Sequence, residues 1–448
     1  MPKMVRRYLY FFGAEFLLFV FSSIMYNTRP YASQLVLHPQ TTSLAAVEND
    51  RLSAVVGPPT AKFRDNLKPD QKYITSWLDA GWSNDVITYM NLIYLGVVTQ
   101  RIPIIGYFIP SHLGYHVAPI DFSKVFDLPR LSKLVNLPML EWHEVKDRNS
   151  TEVDELGCWD IWGTSKPETG LPRKSRLLPL LNLDVSYTKT PDWVTTIPNF
   201  KHDRHSSLFA LASLAEPETR LESLVNPVVH ESPRNHVRLP PDEHLVCYDY
   251  LYYASAHFPF EHEYDYAPAW KFVGQHMHWT PELEQLGSQY LRRALNLEPS
   301  EELTPPYISI HVRHGDFDFL CRDFHRPIDE CFSSLDVIER RVEEVQQELW
   351  RRNGMRVKHV VMTSDEVNST WWEDVKKKGW YVIDHSRTAE LYGPWYPILI
   401  DAVVQSNGIA FLGTDKSTMS IMARRRVQSW HGGVVRSIKW GKRDADDH

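Results

Sequence analysis

From Tyr307 to Val312 the chain reads YISIHV, so that apolar Ile308, Ile310 and Val312 alternate with Ser309 and His311, and Arg313 and Gly315 follow. A period of two predicts a strand, here with polar groups collected where it ends. The pattern then switches repeatedly between periods. Asp329 to Arg352 has helical spacing closed by Gly354, and "RVKHVVMTSDE" predicts a strand ending at Ser364 and Asp365. "STWWEDVKKKG" predicts a short helix, "WYVID" a strand, and "YPILIDAVVQSNG" a helix stopped by Asn407-Gly408. Ile409–Gly413 predicts another strand, and a helix starts at Ser417. Strand alternating with helix four times predicts a parallel sheet with right-handed crossovers.

Nearer the start, "KYITSWLDAGWSNDVITYMNLIYLGVVTQRIPIIGYF" predicts strand, loop (Asp79–Asn84), helix and strand. Between residues 166 and 241, ten prolines interrupt every period, which predicts irregular connections and insertions. Thr280 and Pro281 mark the N-cap and first turn of a helix running to Leu297. The pattern implies an α/β protein of two Rossmann-like domains facing a cleft, 71–300 and 301–440. At 448 residues the chain exceeds what one ordinary core accommodates, in agreement.

The N-terminus has a different character. Lys3, Arg6 and Arg7 precede a run from Tyr8 to Tyr26 interrupted only by Glu15. Nineteen such residues suffice to cross a bilayer, and the basic flank places the N-terminus in the cytoplasm. Glu15 costs about 2–3 kcal/mol near the bilayer centre, which the Phe and Leu content offsets. No small-x-small cleavage site follows closely, so an uncleaved anchor is expected in preference to a signal peptide. The expectation is a cytoplasmic tail at 1–7, a transmembrane signal anchor at 8–26 and a polar stem at 27–70. The rest of a single-pass type II protein would then lie in the Golgi or ER lumen.

Four cysteines in such a compartment predict two disulfides, with Cys321–Cys331 the local pair; four buried thiols is the alternative. Asn149 and Asn368 each begin a glycosylation sequon, although Asn368 also suits a helix N-cap. A formal net charge of −7 gives no general attraction to nucleic acid or acidic membranes, so any phosphate binding must be local.

Three strand ends carry candidate chemistry. In His311-x-Arg313-x-Gly315-Asp316 a planar guanidinium suits bidentate capture of a diphosphate, and the glycine allows close backbone approach. Pairing of Arg313 with Asp316 or Asp318 is the structural alternative. Asp365 follows the second strand, where it would accept hydrogen bonds from a guanine edge or cap the next helix. Ser417 and Thr418 stand at a helix N-terminus that favours an anion, with capping by Asp415 or Ser417 as the alternative. In the first domain the DAGWSND loop offers Gly81, Asn84 and Asp85. The dinucleotide fingerprint, Walker A, H-E-x-x-H and paired C-x-x-C are absent. D-x-D triplets occur at Asp316–Asp318, where two carboxylates could hold a divalent metal, and at Asp444–Asp446, where a solvated tail is expected.

His311-x-Arg313, Thr363-Ser364-Asp365 and FLGTDKSTMSIMARRR resemble the three peptide motifs of the GDP-fucose protein O-fucosyltransferase superfamily. AGWSND resembles that family's N-terminal G-x-x-N loop, and the likeness spans Lys72 to Trp440, closest to a divergent fungal branch. The resemblance implies a GT-B fold, inverting metal-independent transfer, GDP-fucose as donor, a protein or glycan hydroxyl as acceptor, and no cofactor. It implies that Arg313 stabilises the departing diphosphate beside His311. Asp365 would contact the base, Ser417 and Thr418 the phosphate, and Asn84 with Asp85 would line the reaction centre. Where family members carry an acid two residues after the motif glycine this chain has Phe317, which leaves Asp316 and Asp318 as alternatives. In place of the loop glutamate that some members use as base, it offers Asp79 and Asp85. A metal-dependent transferase using the D-x-D, and an inactive carbohydrate-binding scaffold, are the competing expectations.

Overall fold

Seven strands form the first sheet: β1 (Tyr73–Ser76), β2 (Ile102–Ile105), β3 (Leu140–Glu141), β4 (Asp154–Asp160), β5 (Leu183–Lys189), β7 (Val229–His230) and β8 (Leu245–Tyr248). Their order is β3-β2-β1-β8-β4-β5-β7, parallel apart from the edge strand β7. A separate small ladder pairs β6 (Ser206–Ser207) with β9 (Ala254–Ser255). The second sheet is wholly parallel, in the order β12 (Tyr381–Val382), β11 (His359–Ser364), β10 (Tyr307–Val312), β13 (Ala410–Thr414), β14 (Val434–Ile438). This computed structural model describes residues 52–446 except 115, 166–169, 198–203, 299–302, 324–326 and 443. The expected tail and membrane anchor therefore lie outside the described residues. Among those described, no helix is long and apolar enough to cross a membrane.

Six helices position the site: α1 (Trp82–Thr99), α2 (Pro281–Ala294), α3 (Leu335–Asn353), α4 (Ser369–Lys377), α5 (Tyr396–Ser406) and α6 (Thr418–His431). β10 is central and buried on both faces, as parallel strands covered by helices are. Ile308, Ile310 and Val312 pack with Ile338, Val342, Val345 and Leu349 of α3. On the opposite face, the Ser309 hydroxyl donates to the Gln405 carbonyl of α5 (2.9 Å), and His311 Nδ1 meets Ser420 Oγ of α6 (2.7 Å). The polar alternation of this strand thus joins it to helices rather than to solvent.

Several sequence expectations need adjusting. The helix expected from Asp329 is broken into Ile328–Cys331 and α3, because Cys331 is bonded to Cys321 and Ser334 caps α3 by accepting from the Val337 N–H. The proline-rich stretch holds a full strand, β5, paired over seven residues with β4. Prolines punctuate the stretch without entering that strand. Strands β4, β8 and β14 were not foreseen; the first two are joined by the Cys158–Cys247 disulfide. Residues 52–70, assigned to the stem by composition, are packed: Phe63 and Asn66 are fully buried, and Asn66 donates to the carbonyls of Glu144 and Val145. Two well-placed side chains outweigh a polar average.

The two sheets belong to one compact unit, and side-chain N–H groups tie them together. Trp395 donates to the Ala118 carbonyl (2.8 Å), Trp430 to that of Gln275 (2.8 Å) and Trp270 to Ser429 Oγ (3.2 Å). Arg426, fully buried, lies 4.3 Å from the Trp279 ring centroid and 5.6 Å from that of Phe126. Burial pushes its guanidinium down to about 9. Aromatic faces supply the attraction that a carboxylate would otherwise provide.

The C-terminal D-x-D is not a solvated tail. Asp446 is 3% exposed and receives Arg341 through Nε (2.7 Å) and Nη2 (2.8 Å), together with the Lys439 backbone N–H. Only Asp444 of that triplet is exposed. Removing one member of a buried pair strands the other, at about 3–5 kcal/mol. Asp446→Ala is expected to lower unfolding free energy by that amount in urea titrations, whereas Asp444→Ala leaves it unchanged. Equal, small effects of the two substitutions would contradict the clamp.

Candidate functional site

The parallel strands of both sheets end on a shared cleft, the place where open α/β sheets bind ligands. β1 runs into the Trp77–Gly81 loop and then α1. β10 delivers Arg313, β11 delivers Asp365, and β13 leads through Asp415 and Lys416 into α6. A cavity of about 250 Å³ is lined by Gly81, Ser83, Asn84, His112 and Tyr252 from the first sheet's side. Arg313, Asp316, Trp395, Lys416, Ser417 and Thr418 line it from the second. Beside it a larger cavity, about 1130 Å³, holds Gly315, Asp318, Phe332, Asp365, Glu366 and Trp371.

Two helix N-termini meet at the smaller cavity. The N-cap of α1 is Gly81 and that of α6 is Ser417, and neither helix has a side-chain cap. Ser83 Oγ and Thr418 Oγ1, one from each first turn, are 2.8 Å apart. Asp415 does not cap α6, because its carboxylate receives Lys439 Nζ (2.9 Å) while Trp440 Nε1 donates to its carbonyl (2.8 Å). Those contacts hold the turn in which Lys416 takes φ 63°. Uncapped first-turn N–H groups and the positive ends of two helices make this spot electropositive and suited to an anion.

Arg313 completes the positive wall. Its backbone N–H donates to Thr414 Oγ1 (2.9 Å). Its side chain meets Asp316 Oδ1 through Nε (2.9 Å) and Nη2 (2.7 Å), and Asp365 Oδ2 through Nη1 (2.8 Å). Asp365 Oδ1 accepts the His314 N–H (2.8 Å). A Cβ at residue 315 would overlap the Asp365 carboxylate, so Gly315 admits the acid that steadies Arg313. Asp365 does not cap α4; Asn368 does, through Oδ1 and the Thr370 N–H (2.9 Å).

Arg313, Asn84, Asp316, Ser417 and Thr418 are therefore brought together, with Asp365 and Gly315 on the adjoining wall. Two candidates stand apart. His311 is 5% exposed and turned onto α6; burial, then the nearby Arg313 and His314, pushes its imidazole down to about 3, so it is neutral. It braces β10 against α6 and brings no charge to the cavity. Asp85 is fully buried beneath the loop, where Oδ1 accepts the Ala80 N–H (3.2 Å). Burial holds its carboxyl well above the usual carboxylate range, and Oδ2 has no hydrogen-bond partner among the described residues. Asp79, the other acid of that loop, receives Arg176 Nε (3.1 Å) and the Arg176 N–H.

Other residues at the site escaped sequence reasoning. His112, Tyr252 and Trp395 sit in loops or at a helix start without periodic pattern. Phe332 and His314 have ring centroids 4.4 Å apart, Trp371 lies 5.5 Å from His314, and His314 Nδ1 contacts Glu366 Oε2 at 2.6 Å. The adjacent SDE acids were the one available signal for Glu366.

No family model matches the sequence, and no curated protein matches it either. Solved structures do. POFUT1 in complex with GDP superposes with a TM-score of 0.51 at 11% identity, covering 84% of this chain and 100% of that one. POFUT1 in complex with GDP-fucose gives 0.50 at 11% identity, over 84% of this chain and 99% of that one. NodZ α-1,6-fucosyltransferase soaked with GDP-fucose gives 0.40 at 10% identity, over 80% and 92% respectively. Two parallel α/β sheets with a cleft at their carboxyl ends, matched along the whole length of POFUT1, give this chain the fold of that protein.

Proposed function

We propose that the protein transfers fucose from GDP-fucose to a hydroxyl group of a protein or glycan, with inversion and without a metal. The observation that carries this reading is the convergence of Arg313 with two uncapped helix N-termini at the carboxyl edge of a POFUT1 fold. Fucosyl transfer leaves negative charge on the departing GDP. Preorganised dipoles and a fixed guanidinium stabilise such charge without reorganising as it develops. Ser417, Thr418 and Arg313 would hold the diphosphate, and Asn84 would face the sugar. The larger cavity, with acids Asp365 and Glu366 beside aromatic Phe332 and Trp371, suits a guanine: carboxylates accept from its N1–H and exocyclic amine, and the rings stack on it.

Asp316, the acid nearest a metal-holding D-x-D arrangement, is committed to Arg313 through two nitrogens. This supports metal independence. A thermal-shift comparison of GDP with UDP tests the donor, since a ligand that binds the folded state raises its apparent stability. GDP is expected to raise the melting temperature more than UDP, and equally with EDTA present. Stabilisation by UDP alone, or its disappearance on chelation and return with manganese, would contradict the reading.

Arg313→Lys is expected to lower turnover by about 10²–10³, because an ammonium cannot reproduce the fork that meets two oxygens at once. Retention of most activity would remove the bidentate role.

Asp365→Ala is expected to weaken GDP binding by about 1–3 kcal/mol, the cost of leaving buried polar groups unpaired, and to weaken UDP binding less. Titration calorimetry with both nucleotides separates base reading from the support Asp365 gives Arg313. Loss by the same factor for each nucleotide would leave only the supporting role.

A further inference from the structure

We infer that His112, on the loop after β2, is the general base that takes the proton from the attacking hydroxyl. The inference rests on the fucosyl-transfer reading and supplies the group that reading lacks. Asp79 and Asp85, the acids of the α1 loop, are both held away: the first in its pairing with Arg176, the second fully buried. Among the other titratable side chains that line the small cavity, Arg313 and Lys416 are cations, Asp316 is bound twice to Arg313, and Tyr252 is a phenol, in the first place a proton donor.

His112 is the group with a nitrogen lone pair to offer. Its ring is exposed, lies against the N-cap of α1, and forms no hydrogen bond or ion pair with a described residue. Nε2 is the nearest atom to the position a Cβ would take at residue 81, 3.2 Å away, so Gly81 leaves the space the imidazole edge occupies. The ring lines the same cavity as Arg313. Inversion requires the base and the leaving group on opposite faces of the sugar, so on this reading the sugar lies between His112 and the diphosphate.

Bonds and protons balance within the reaction. The acceptor O–H gives its proton to the imidazole nitrogen as its oxygen bonds to fucose C1. The C1–O bond to the β-phosphate breaks, and its electron pair leaves with GDP. The imidazolium then returns its proton to solvent.

The test uses the whole protein, with water as acceptor and GDP release from GDP-fucose as the readout. His112→Gln is expected to lower kcat by about 10²-fold, with KM and the GDP-induced melting shift unchanged. It should also remove the fall in kcat on the acidic side of the rate profile. Charged groups around that ring, namely Asp79 with Arg176 behind the loop and Arg313, Asp316 and Lys416 across the cavity, are present in both proteins, so the loss of that fall reports His112. In His112→Ala, azide, an anion that needs no deprotonation, should restore GDP release and yield fucosyl azide. Wild-type kcat and pH profile in His112→Gln would overturn the assignment, as would failure of azide to restore the rate. A wild-type protein that neither binds GDP nor releases it from GDP-fucose would instead bring down the transfer reading itself, and this inference with it.

Discussion

Two helices pointing their N-termini at one another is an arrangement that electrostatics alone disfavours. Each end carries about half a positive charge, and here Ser83 of α1 and Thr418 of α6 touch at 2.8 Å. What keeps them there is packing around the ends. Trp82, at the first position of α1, stacks on Trp279 and Phe126, and the same two rings face Arg426 of α6. Burial of that aromatic cluster, worth a few kcal/mol per side chain, exceeds the repulsion of two half-charges. The positive field is therefore a consequence of core packing and persists whatever enters the cleft.

Arg313 adds a third positive group to the same wall, and its balance comes from two acids. Asp316 lies on its own loop and Asp365 on the neighbouring strand end, brought within 2.7 and 2.8 Å. A guanidinium so flanked has its orientation set in advance. On the proposed reading, a diphosphate arriving between the helix ends would meet donors already aimed, so little ordering would remain to be done at the moment of binding. Gly315 and Gly81 serve the arrangement by omission: one leaves room for the Asp365 carboxylate, the other for the His112 ring.

The second sheet also shows why polar residues on a strand do not by themselves mark a site. Ser309 and His311 share a face and a period, yet both are buried against α5 and α6 and spend their hydrogen bonds there. Arg313, two positions on, has left the ladder and reaches the cleft. The difference is position relative to the last ladder bond, since within a parallel sheet both faces are covered.

Local pattern by itself determined four of the second sheet's five strands, all but β14, and most of its helices. Periods of two and 3.6, Gly354, Ser417 and Asn407-Gly408 are signals read within a few residues, and they placed Arg313 and Asp365 at strand ends and Ser417 at a helix start. The β1–α1 unit and its loop were equally legible. Tertiary structure alone decided the rest. β5 lay hidden among prolines because its partner β4 is recognised by pairing and not by pattern. Phe63 and Asn66 were absorbed into a polar average that only a neighbouring surface could override. Asp446 looked like tail charge until Arg341, more than a hundred residues earlier, enclosed it. Asp85 and His112 changed places as candidates for the same reason: burial and access are set by what packs over a loop, and no window of sequence around the loop contains that information.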